Sequence, residues 1–318
     1  MNFSSFDYFI AVAEELSFTR AAERLNVTQQ TLSAHIAGLE RELHVRLVDR
    51  HVPLALTYAG EEFLEYARHF QTKRRVMEQE FRDISGNQRG LLRVGVASTR
   101  GHIIMPRAIA SFQLRYPQIT VSLYESENQD LVQLLREGRV DMVVATIEPD
   151  AQGLVVQDLY DEAVMLLCRQ DLLERYYPGR VEEVVAEAAK EGGLKALEKL
   201  PFLLVGDGDI PGAVPRQAFR RENIHPDVRV ISKNAETLVA LAYRGVGACF
   251  CSSELAYTSF PNSAEAGMRL IDLGEGAKYP ICVAWRKSPH TWSIVTAFYD
   301  LLQAKVRDGK GWSAEGPL

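Results

Sequence analysis

The chain has 318 residues, 47% hydrophobic and 25% charged, a balance that fits an ordinary globular protein of two or three domains and excludes a disordered or collagen-like chain. No apolar run approaches the roughly 18 residues of a membrane helix. The four cysteines form no CxxC pair and have no histidine at zinc spacing, and the start, MNFSSFDYFI, carries neither a basic leader nor a cleavage-like site. We therefore expect a cytoplasmic protein with reduced thiols, no metal and no membrane contact.

Net charge is −6, divided as −2 over residues 1–89 and −4 over the rest. Nucleic-acid binding, if present, must rest on local placement of donors and not on a basic domain.

In chain order, residues 1–56 read as short helices with tight turns. Phe3, Phe6, Ile10 and Ala13 make one helical face. Ser17 caps a second helix, predicted over Thr19–Leu25, whose Arg20-Ala21-Ala22 would let another helix cross closely. Asn26-Val27 turn the chain, and Thr28 is a good N-cap for a third helix. There Leu32, Ile36, Leu39 and Leu43 share one face, and Gln30, Ser33, Ala34, Ala37 and Arg41 the other. The outer face is small and polar, able to lie in a major groove. Its first turn, Thr28, Gln29, Gln30 and Thr31, offers groups suited to base edges and phosphates. An ordinary solvated amphipathic helix would show the same pattern, so periodicity alone leaves both readings open.

From Thr57, the positions Phe63, Ala67, Phe70, Arg74, Met77, Phe81 and Ile84 follow 4-3 spacing, a heptad seam with one polar break. That pattern predicts a dimerising helix or, alternatively, a helix packed on its own domain. The stretch Ser85–Gly90 reads as a hinge.

Beyond it, short apolar strands alternate with amphipathic helices. Strands are predicted at Leu91–Val96, Ile119–Tyr124 and Val140–Ala145, with helices at about 102–116 and 130–137. This order demands a parallel sheet with right-handed crossovers. Ligands in such sheets bind at strand carboxyl ends. Residues from about 307 read as a flexible tail.

The run FIAVAEELSFTRAAERLNVTQQTLSAHIAGLERELHVRLVDR, followed by LTYAG, closely resembles the signature of LysR-type transcription regulators. The segments LREGRVDMVVA and LVALAYRGVGACF resemble, more loosely, hallmark stretches of the family's effector domain. The resemblance implies a winged helix-turn-helix over 1–58, with the third helix reading DNA and Arg46–Leu56 forming a wing that places Arg50 near a phosphate. It implies a linker and hinge over 59–89. It implies an α/β effector domain over 90–306 with the two-lobed fold of type 2 periplasmic binding proteins, lobe I at about 91–162 and 268–306 and lobe II at about 163–267.

The expected DNA-binding set is Arg20, Thr28, Gln29, Gln30, Thr31, Ser33, His35 and Arg50. The expected effector set is Ser98, Thr99, Arg100, Ser126, Asn128, Val205, Gly206 and Asn234, arranged for a small carboxylate or other anion. The expected dimer set is Phe63, Ala67, Phe70, Met77, Phe81 and Ile84. Partners would be double-stranded promoter DNA, the effector, and further copies in a homodimer or homotetramer, with no cofactor.

The chain departs from the family pattern at His44, where Gly is usual, at Val48, where Phe is usual, and at Cys251-Ser252, where Pro often follows the strand. It also carries a longer helical stretch within 173–201. Cys249 and Cys251 lie two apart in a predicted strand, as core filling or as a thiol or metal sensor. An enzyme is not expected, because no nucleophile elbow, HExxH, phosphate loop or GxGxxG is present. The alternative function is a cytosolic solute-binding or thiol-sensing protein built on the same α/β domain.

Overall fold

The computed structural model describes residues 3–51, 53–86, 89–190, 193–206 and 210–307. Asn87 and Gln88 of the expected hinge, and the tail from 308, lie outside them. The chain divides into two compact units. One holds Met1–Gln88 with the short segments Arg136–Arg139 and His290–Trp292, and the other holds the remainder.

The first unit runs α1 (Phe3–Glu15), α2 (Phe18–Leu25), α3 (Gln29–Leu43), β1 (Val48–Asp49), β2 (Ala55–Leu56) and α4 (Tyr58–Ile84). Its core gathers Phe6, Phe9, Ile10, Val12, Ala21, Ala22, Leu32, Ile36, Leu39 and Leu47. Two expectations at helix ends need correction. Phe3 is exposed, and Phe9 and Val12 take the inward face of α1 in its place. Leu43, at the last turn of α3, is exposed as well.

Side-chain caps fix the turns. Ser17 accepts from the Arg20 N–H, and Thr28 from the Thr31 N–H. Asn26 and His44 end α2 and α3 in the left-handed conformation. His44 thus adopts the backbone for which the family's usual Gly is suited, at a local conformational cost. The wing hangs on Glu40, whose carboxylate accepts the N–H groups of Leu47 and Val48 at 2.9 and 3.2 Å. Thr57 caps α4 and donates its hydroxyl to the Arg46 carbonyl at 2.7 Å. A Cβ on Gly60 would lie 2.0 Å from the Leu47 carbonyl oxygen, so only glycine lets α4 pass this close to the wing strand.

α4 does not present its whole seam to solvent. Phe63 is 8% exposed and Ala67 0%. Both belong to the protomer's own core, with Phe63 against Phe6 and Phe9. This corrects their assignment to the dimer set: the upper seam packs on α1. Phe70 stacks on Phe6 yet stays half exposed. The polar break is explained locally, because Arg74 pairs with Asp7 at 3.0 Å and lies over the Phe3 ring.

The second unit runs β3 (Gly90–Val96), α5 (Ser98–Ile103), α6 (Met105–Arg115), β4 (Ile119–Glu125), α7 (Asn128–Arg136), β5 (Met142–Ala145), β6 (Leu154–Arg169), α8 (Gln170–Tyr176), α9 (Val181–Ala188), β7 (Pro201–Val205), α10 (Ile210–Arg221), β8 (Asp227–Ser232), α11 (Ala235–Tyr243), β9 (Ala248–Ser252), α12 (Ser253–Ser259), β10 (Met268–Asp272), β11 (Lys278–Arg286) and α13 (Ser293–Arg307). Strand order is β4-β3-β5-β11-β6-β9-β7-β8, with β10 on β6. β3 pairs in parallel with β4 and β5, the crossover geometry that the alternating pattern predicts. Within the hallmark stretch, buried Asp141 accepts the Arg93 N–H at 2.8 Å and registers β5 against β3.

β6 joins the lobes. Its first part, to Ala163, pairs with β11, and its second part, from Val164, pairs with β9 and β10. β10 therefore belongs to lobe II, and the return to lobe I falls between Asp272 and Lys278, one strand later than the expected boundary at 268. Each lobe has an aromatic centre, Phe112 on Phe298 in lobe I and Phe202, Phe219 and Phe250 in lobe II.

Candidate functional site

The recognition face follows from how α3 is buried. With Leu32, Ile36 and Leu39 inward, Gln29, Gln30 and Ala34 are left exposed and Ser33 half-buried. The hydroxyl of Thr28 holds the Thr31 N–H, and the two threonine hydroxyls share a 2.8 Å hydrogen bond. They set the helix end, and the exposed glutamines Gln29 and Gln30 open the helix. His35 needs correction as a base reader: it is half-buried, its ring edge-on to Tyr8 of α1 at 4.7 Å. Arg20 turns back to Glu15 at 3.4 Å. Arg50 lies 3.4 Å from Glu40 and over the Phe18 ring, so the carboxylate that orders the wing also steers its arginine.

In the second unit, a cleft of about 390 Å³ opens between the lobes. It is lined by Ser98, Thr99 and Arg100 from α5, Ser126, Glu127 and Asp130 after β4, Glu162 of β6, Val205 and Gly206 after β7, Lys233 to Glu236 at the start of α11, Ser252 and Tyr279. Seven of the eight expected effector residues meet there. Asn128 does not line it. Its side-chain oxygen accepts the Thr146 N–H at 3.3 Å and ties α7 to the end of β5.

Three expected roles change in detail. Ser98 and Thr99 are the first residues of α5 and do not precede a longer helix, because the expected helix at 102–116 divides at Ile104. The Gly206 N–H already donates to the Ser232 carbonyl, and the Val205 carbonyl accepts from Arg216, so these backbone groups shape the cleft more than they offer hydrogen bonds. Asn234 caps α11 through the Thr237 N–H at 2.7 Å, which leaves the N–H groups of the following residues at the cleft.

Arg100 is 6% exposed. One nitrogen meets Glu162 at 2.9 Å, Tyr279 donates to the same carboxylate oxygen at 2.6 Å, and Tyr160 lies 3.5 Å from its other oxygen. Burial alone would lower the guanidinium pKa, but Glu162, Tyr279 and Tyr160 together outweigh it and the net shift is upward. Burial first, then Glu162, push the Tyr279 phenol well above its usual range. A charged pair and neutral phenols therefore form this wall. Nothing in the sequence marks Glu162 or Tyr279, which sit far apart in strands whose inward faces it does not define. Glu127 and Lys233 flank expected residues, but only the lobe geometry brings them to the site. They face each other across the cleft at 2.7 Å.

The thiols offer no site. Cys168, Cys249, Cys251 and Cys282 are all buried and unpaired with one another. No cluster of three or more metal-ligating side chains occurs among the described residues. Nor is any described helix long and apolar enough to cross a membrane.

A winged helix-turn-helix and, in the same chain, a two-lobed α/β domain with an interlobe cleft are the parts of a ligand-responsive DNA-binding regulator. Two family models match: the bacterial regulatory helix-turn-helix protein of the lysR family over residues 3–61, and the LysR substrate binding domain over residues 85–307. The chain belongs to the LysR family of DNA-binding transcription regulators.

Among its relatives, the HTH-type transcriptional regulator ClcR of Pseudomonas putida is 27% identical over 305 residues, 95% of this chain and 98% of that one. The DNA-binding transcriptional dual regulator OxyR of Escherichia coli is 29% identical over 172 residues, 54% of this chain and 56% of that one. Solved structures with the same fold include CbnR, a LysR family transcriptional regulator, at TM-score 0.65 and 23% identity over 96% of this chain and 99% of that one. A full-length OxyR variant from Pseudomonas aeruginosa matches at TM-score 0.69 and 23% identity over 95% and 98% of the two chains.

Proposed function

We propose that this regulator binds promoter half-sites as a dimer or tetramer in the cytoplasm, and that a small carboxylate-bearing effector in the interlobe cleft controls its binding or activation. Gln29, Gln30 and Ser33 read base edges, while Thr28 and Arg50 meet phosphates. The exposed end of α4 pairs the subunits and so sets two recognition helices on two half-sites. No catalytic step and no resident cofactor enters this reading.

The observation that carries the effector part is the convergence, on one 390 Å³ cleft, of the Ser98 and Thr99 hydroxyls, Arg100 and the start of α11, a set of donors suited to an anion. The test is the double variant Ser98→Ala, Thr99→Ala. It should lose the response to effector while its DNA affinity stays at the wild-type level. A double variant that still responds at wild-type effector concentrations removes these hydroxyls from the site.

A further inference from the structure

The cleft has an uneven charge balance that bears on what it holds. Among the described residues, four carboxylates line it, Glu127, Asp130, Glu162 and Glu236, against two cations, Arg100 and Lys233. Both cations are matched: Arg100 with Glu162 at 2.9 Å, and Lys233 with Glu127 at 2.7 Å. Among the described residues, Asp130 receives only the Ser126 hydroxyl, at 3.0 Å. Glu236 forms no ion pair among the described residues. Two carboxylates therefore face the cleft without a cation among the described residues. They attract a positive group on a ligand and repel a second negative one.

A second observation points the other way. Arg100, more than nine-tenths buried in the wall, has an Nε without a hydrogen-bond partner among the described residues. Beside it stand the Ser98 and Thr99 hydroxyls. This part of the wall has donors to satisfy, and an unmade buried hydrogen bond is costly. The apolar lining is small, namely Ala97, Val205 and Ala235, with Tyr279 the one ring among the described lining residues. An extended hydrocarbon or aromatic skeleton would find little to pack against.

We infer that the effector is zwitterionic: a small polar molecule with a carboxylate for the donors around Ser98, Thr99 and Arg100 and an ammonium group for Asp130 and Glu236, as in an amino acid. The inference rests on the effector reading proposed above and narrows its ligand class. A dianion would leave Asp130 and Glu236 opposed to like charge, and a dication would leave the Arg100 wall unanswered.

The full-length protein is tested by thermal shift with probes matched in skeleton, each at about 10 mM. L-Serine and 4-aminobutyrate are the zwitterions, glycerate and succinate the anions, and 1,4-diaminobutane the dication. At least one zwitterion should raise the melting temperature by about 2 °C or more, and by more than its matched anion. In the variant Asp130→Asn, Glu236→Gln that advantage should fall at least tenfold in apparent affinity, with succinate or glycerate gaining.

An anion that stabilises the wild type as well as its matched zwitterion overturns the inference. So does a preference for the diamine, a preference unchanged in the double variant, or no stabilisation by any probe. Gel shifts run with the same probes separate the two levels. If an anion alone alters DNA binding, the effector reading stands and the zwitterion falls. If DNA binding responds to no probe of any charge, the effector reading falls with it.

Discussion

Single residues decide both what the fold tolerates and what it excludes. His44 ends α3 at φ 55° and ψ 30°, so the departure from glycine changes local cost and not geometry, and Glu40 still receives the wing N–H groups. The cysteines weigh against thiol sensing. Burial, then the charge of Asp171, push the Cys168 thiol up to about 12. Burial, then a hydrogen bond to Asp158, push Cys282 up to about 11. Burial raises Cys249 and Cys251 as well. Thiolates are the reactive form, so dilute hydrogen peroxide at neutral pH should form no disulfide, and Cys249→Ala should leave DNA binding unchanged. Mass spectrometry of the non-reduced protein checks this, and a disulfide between any two of the four would contradict it. The sign for pH follows. Folded thiol pKa values lie above the unfolded value of about 8.5, so this stabilisation is complete below that pH and is lost as pH rises through the folded values.

Among the elements, α4 does two jobs that one heptad pattern conceals. Its N-terminal half completes the core of the first unit. Further on, Phe81 is 64% exposed and Ile84 71%, with Met77 and, outside the pattern, Tyr66 also open to solvent. These apolar side chains are the surface we assign to pairing. Two substitutions should therefore behave differently. Phe63→Ala should destabilise the first unit by about 3–5 kcal/mol, as for a buried aromatic. Phe81→Glu should leave the monomer's melting temperature nearly unchanged and break the oligomer by placing a charge in an apolar interface. Sedimentation velocity with thermal melts distinguishes the cases, and an unchanged oligomer in Phe81→Glu would remove this stretch from the interface.

For the whole molecule, legibility follows the range of the interactions involved. The caps at Ser17 and Thr28 are set within a few residues, and the three-strand parallel start of the α/β domain is written in short apolar strands alternating with amphipathic helices. Both can be read directly. The 16-residue β6, shared between lobes, cannot, because its alternation changes partner midway and no local residue marks the change. The cleft is half readable: Ser98, Thr99, Ser126 and Asn234 stand at strand ends and helix starts, where position alone suggests a ligand. Glu162, in the middle of β6, and Tyr279, at the start of β11, are 117 residues apart, and only the folded sheet brings them to Arg100. Asn128 has the right sequence context and the wrong direction, and Phe63 and Ala67 the right spacing and the wrong partner.

The central claim is that α3 reads a specific DNA sequence through its exposed glutamines. A gel shift of the full-length protein on DNA flanking its own gene, with wild type and Gln30→Ala side by side and random-sequence DNA as reference, tests it most directly. Wild type should form a specific complex that Gln30→Ala weakens by about 1–3 kcal/mol, roughly 5- to 150-fold, with little change on random DNA. Equal weakening on both DNAs, or no preference of the wild type for either, would contradict it.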